Sequence, residues 1–138
     1  MGDWYTLGIA VGVGVAAGVG LAGVLAARRG GPVAATVIAL GVGAAAGYLI
    51  EGWIGLPGGS VGALVGAISA AVVVRGAMRR GAMPFGTALL LGAAALVLAA
   101  VALVPVAGYL IALLVPGAAA RRARQDGERF AGLRTLAK

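Results

Sequence analysis

The chain predicts an all-α integral membrane protein. It reads as a bundle of about five transmembrane helices, four full spans and a short fifth after Pro105, closely packed through Gly and Ala, with an amphipathic C-terminal tail. Four observations carry this. Mean hydropathy is +1.06. Only 11% of the 138 residues are charged, which rules out an ordinary soluble domain. Most ionisable residues fall in short stretches (Arg28-Arg29, Glu51, Arg75 to Arg80, Arg121 to Lys138), separated by apolar segments of about the 20 residues that cross a hydrocarbon core of about 30 Å. Small residues also recur at four-residue spacing inside those segments.

The first segment runs from Trp4 to Ala27, with Trp4 and Tyr5 as interfacial anchors. Asp3 in place of a basic start, and the length of this stretch, argue against a cleaved signal peptide. Met1-Gly2 with Thr6 fits an N-myristoylation pattern, but a spanning helix follows at once. Arg28-Arg29-Gly30-Gly31-Pro32 ends the first segment, and Pro32 suits the first turn of the second, which extends to Ile50. Glu51 to Gly58 reads as the next turn, and its glycines and Pro57 also suit a re-entrant loop. The third segment covers Gly59 to Val74 and the fourth Pro84 to Val104.

Residues 84 to 120 exceed one straight span, and a tight turn at Pro105 to Gly108 would make Val106 to Ala120 a short fifth. The positive-inside rule favours this division. With five crossings, Arg28-Arg29, Arg75 to Arg80 and the tail arginines share the cytoplasmic side, while Glu51 and the N-terminus lie outside. The expected localisation is thus a bacterial-type inner membrane, multi-pass. A transmembrane domain would cover residues 1–120 and a basic cytoplasmic tail 121–138.

Gly58, Gly62, Gly66 and Ala70 form one ladder of small residues, and Gly8 with Gly12, Gly14 with Gly18 and Gly43 with Gly47 repeat the device. Residues i and i+4 share a helix face. In lipid, helix association depends on close van der Waals contact, so such stripes are packing surfaces for other transmembrane helices, in a homo-oligomer or a hetero-complex. Ile9 to Gly18 recurs as Ile38 to Gly47, 29 residues on. A duplication and a shared packing requirement explain the echo equally well.

Chemistry is sparse. There is no Cys and no His, which removes thiolate and imidazole ligands and the commonest general base; no metal, cofactor or catalytic residue is expected. Gly18-Val19-Gly20-Leu21-Ala22-Gly23 matches the dinucleotide fingerprint, but no strand or ribose-binding acid frames it, so it reads as packing glycine. Thr36, Tyr48, Ser60, Ser69, Thr87 and Tyr109 are the polar side chains within the spans. Such hydroxyls bond a preceding carbonyl or a neighbouring helix. Glu51, the one acid between Asp3 and Asp126, is the candidate for ion or proton contact, against the plainer reading of an interfacial charge beside Trp53.

The net charge of +7 flanks membrane segments, so it points to lipid rather than nucleic acid. In the tail, Arg121, Arg122, Arg124, Arg129, Arg134 and Lys138 accompany Phe130, Leu133 and Leu136. That pattern suits a helix on the anionic cytoplasmic leaflet or one docking on a partner. The leading expectation is a non-enzymatic membrane protein acting by helix packing, as an accessory or scaffold subunit or an anchor. The alternatives are a small homo-oligomeric channel or transporter using Glu51, and a holin-like lysis protein.

Overall fold

A computed structural model describes residues 3–25 and 31–134. Among these there are four α-helices and no strand: α1 (Asp3–Leu25), α2 (Gly31–Arg79), α3 (Pro84–Ala102) and α4 (Pro105–Arg134). Each is long and apolar enough to cross a membrane. Four helices are formed where five were expected, because α2 holds both the second and the third apolar segments.

α2 is not straight. Glu51 (φ −145°, ψ 24°) and Gly52 (φ 61°, ψ −140°) leave the helical region and divide it into two arms, 31–50 and 53–79. In an unbroken helix Gly43 and Gly59 would lie about 24 Å apart at 1.5 Å per residue. Instead the Gly43 α-carbon packs on the Gly59 carbonyl, and Gly47 on that of Gly55. The arms therefore run antiparallel. The expected turn over Glu51 to Gly58 shrinks to two residues, which leaves no re-entrant loop, and Pro57 falls inside the returning arm.

α1 lies at the centre, parallel to arm 53–79: Gly62 approaches the Val11 carbonyl and Gly66 that of Val15. α3 crosses α1 antiparallel, with Ala102 against Gly12 and Leu91 against Gly23, and α4 returns parallel to α1, with Gly108 on Gly8. The core consists mainly of small residues. Val15 is the largest fully buried side chain, while Leu49, Phe85, Leu90 and Leu113 are exposed. A soluble protein buries such side chains; small residues at helix contacts with large apolar ones outside is the arrangement lipid favours.

The links follow local rules. Gly81 (φ 77°) closes α2, as its N–H donates to the Met78 carbonyl and that of Ala82 to the Ala77 carbonyl, a Schellman ending. Pro84 then starts α3. Between α3 and α4 the turn is Leu103–Val104, earlier than the expected Pro105 to Gly108. Proline suits the first helical turn and disfavours helical geometry in the residue before it. α4 continues unbroken through residues 120–121 to Arg134, so the backbone marks no boundary between the fifth apolar segment and the tail.

Candidate functional site

The helix directions separate two ends. One holds the start of α1, the Glu51–Gly52 break and the Leu103–Val104 turn. All two tryptophans and three tyrosines of the chain gather there. Trp4 and Tyr5 meet edge to face at 6.3 Å, as do Tyr48 and Trp53 at 5.7 Å. The Tyr109 hydroxyl donates to the Trp4 carbonyl at 2.8 Å, tying α4 to α1. The opposite end holds Arg75, Arg79, Arg80, Arg121, Arg122 and Arg124. Arg129 and Arg134 follow on α4; Arg28, Arg29 and Lys138 lie outside the described residues.

Glu51 sits at the aromatic end, between Tyr48 and Trp53. Its side chain is half-buried, and its Oε2 is buried without a hydrogen-bond partner. Such a group carries a desolvation cost of about 1–3 kcal/mol, more when charged. The break itself puts it there: Gly52 supplies the positive φ that reverses the chain.

The ladder residues meet helices of the same chain. A Cβ on Gly62 or Gly66 would strike the carbonyl of Val11 or Val15, and one on Gly14 or Gly18 the carbonyl of Gly59 or Ala63. The hydrogen in its place points at that oxygen, the arrangement of a Cα–H···O contact. Gly12 faces Ala102 and Gly108, Gly58 faces Val11 and Leu7, and the Gly8 carbonyl faces Gly108. Ala70 is 3% exposed. Gly43 and Gly47 meet Gly59 and Gly55 across the hairpin. Gly18, Gly20 and Gly23 of the fingerprint-like stretch lie inside α1 against Ala63, Ala95 and Leu91.

Sequence reasoning missed a second ladder on arm 53–79: Gly55, Gly59, Ala63 and Ala67. It has the same four-residue spacing, but Gly55 was assigned to the turn. Gly108 was missed as a packing position as well; a lone glycine inside an expected turn gives no periodic signal.

Three hydroxyls are engaged locally. Ser60 donates to the Leu56 carbonyl at 2.8 Å, Ser69 to that of Val65 at 2.7 Å and Thr87 to that of Met83 at 3.1 Å. Among the described residues no group of His, Cys, Asp and Glu could hold a metal ion. Comparison with protein-family models, with curated proteins and with solved structures finds no match to this chain.

Proposed function

We propose that this multi-pass membrane protein works by helix packing rather than by chemistry, as an accessory or scaffold subunit, or an anchor, of a membrane assembly. The observation that supports this most is the use of the polar groups: Ser60, Ser69 and Thr87 each donate to a backbone carbonyl one turn earlier, which commits these hydroxyls to the helices rather than to chemistry. The α2 hairpin supports a reading with five membrane crossings, which by the positive-inside rule would put the basic end in the cytoplasm and the N-terminus and Glu51 on the far side. The internal ladders build the bundle, so partner helices would meet its outer faces. There Gly41, Gly86 and Gly92 have nothing within 4 Å.

A second reading has one specific observation in its favour. The buried, unpartnered Oε2 of Glu51 suits a group that takes up a proton or cation, as in a homo-oligomeric channel or transporter. Extraction of the tagged protein in a mild detergent, followed by mass spectrometry of the intact assembly, separates the two. A stoichiometric heteromeric partner supports the packing role; a clean homo-oligomer overturns it in favour of the channel.

A further inference from the structure

α3 leans on α1 but scarcely touches α2 or α4. Toward the basic end it therefore diverges from both, opening a cavity of about 540 Å³, within the range of about 300–1,000 Å³ typical of small-molecule sites. Val19, Leu91, Leu98 and Val115 line its depth, and Arg80 and Arg122 stand at its mouth. Ser69 and Thr87, the polar residues farther in, already donate to backbone carbonyls, so the interior offers an occupant apolar contact. Among the described residues no acidic side chain lines it.

We propose that this cavity is a binding site for an anionic phospholipid, with an acyl chain between α3 and α4 and the phosphate held by Arg80 and Arg122. Its length fits. Thr87 to Leu98 along α3 spans about 16 Å at 1.5 Å per residue, close to half of a hydrocarbon core of about 30 Å, which is the reach of an acyl chain from one leaflet. The charge fits too, because basic pockets between membrane helices on the cytoplasmic side select anionic headgroups, and arginine pairs with phosphate through two parallel hydrogen bonds. A lipid here would wedge α3 against the bundle without closing the gap. This site depends on the helices spanning a bilayer and not on the packing role proposed above.

The test uses the full chain in detergent, stripped of lipid, and measures retention of added dioleoylphosphatidylglycerol against dioleoylphosphatidylcholine by native mass spectrometry. Wild type should retain the anionic lipid preferentially. Arg80→Gln with Arg122→Gln should reduce that retention about tenfold, whereas Arg75→Gln with Arg79→Gln, the same change of charge at exposed positions outside the cavity, should leave it intact. Ala94→Trp, at an exposed position on the cavity wall, should abolish retention of both lipids while leaving the helical circular dichroism unchanged. Equal retention of the two lipids, equal loss in both arginine pairs, retention that survives Ala94→Trp, or displacement by inorganic phosphate alone would each overturn the proposal.

Discussion

The α-carbon of Gly47 packs on the carbonyl oxygen of Gly55, and the α-carbon of Gly55 packs on that of Gly47. The contact is reciprocal and lies one turn either side of the Glu51–Gly52 break. Gly43 and Gly59 repeat it one turn further on. Two helical arms thus approach backbone to backbone at the first opportunity after the chain reverses, and every position that allows it is glycine. α1 then joins from the other side: the Gly59 carbonyl that receives Gly43 also receives Gly14.

These contacts make glycine positions unequal, and alanine scanning should show it. Gly62→Ala places a methyl group against the Val11 carbonyl and should destabilise the bundle by about 1–3 kcal/mol, the usual cost of overpacking. Gly92→Ala meets nothing within 4 Å and should be neutral or stabilising by up to about 1 kcal/mol, through helix propensity. Denaturation in mixed micelles followed by circular dichroism measures both. Leucine at Gly62 and Gly66 should disrupt the fold itself and not merely release a partner.

Gly52 separates backbone strain from crowding. A Cβ there touches nothing, yet φ is +61° and ψ is −140°, a conformation that side chains disfavour by about 1–3 kcal/mol. Gly52→Ala should therefore destabilise the protein by about that amount in the same assay, although it creates no clash.

Much of this architecture was legible in the sequence, and the reasons for the gaps are physical. Apolar length and the position of the charges pointed to helices apolar enough to span a membrane, and four-residue spacing singled out Gly14, Gly18, Gly43 and Gly47, which lie against carbonyls of neighbouring helical segments. The periodicity could not say what each stripe meets, because a glycine face is the same whether its partner is the next helix or another protein. The turn at Glu51 is shorter than expected because Gly55, Leu56, Pro57 and Gly58 look like loop chemistry, yet Gly55 lies in the returning helix against the Gly47 carbonyl. The 29-residue echo has a packing account: Gly14 and its counterpart Gly43 clasp the same Gly59 carbonyl from two sides, while Gly12 packs on Ala102 and its counterpart Gly41 faces open space.

Glu51 distinguishes the packing role from transport. On the packing account, liposomes containing the protein show no proton or cation flux above protein-free liposomes, with wild type and Glu51→Gln alike. Glu51→Gln should also leave stability unchanged or raise it, since it replaces a carboxyl group with a buried, unpartnered oxygen by a neutral amide. Flux that disappears in Glu51→Gln would move the function to the channel reading.

The separation of aromatic and basic ends predicts a labelling pattern. The chain lacks cysteine, so single substitutions report without background. Ala82→Cys and Gln125→Cys, both at exposed positions of the basic end, should react with a membrane-impermeant maleimide only after the cytoplasmic face is opened. Leu103→Cys, at the exposed turn of the aromatic end, should react in intact cells.

All of these expectations depend on α2 folding back at Glu51–Gly52, and one distance tests that directly. Spin labels on Val33→Cys and Arg75→Cys, residues that line one groove between the two arms, should lie within about 25 Å of each other in lipid nanodiscs by double electron–electron resonance. A continuous helix would hold those positions about 63 Å apart at 1.5 Å per residue. The short distance would establish the hairpin and with it the fifth crossing; the long one would contradict the fold and the function drawn from it.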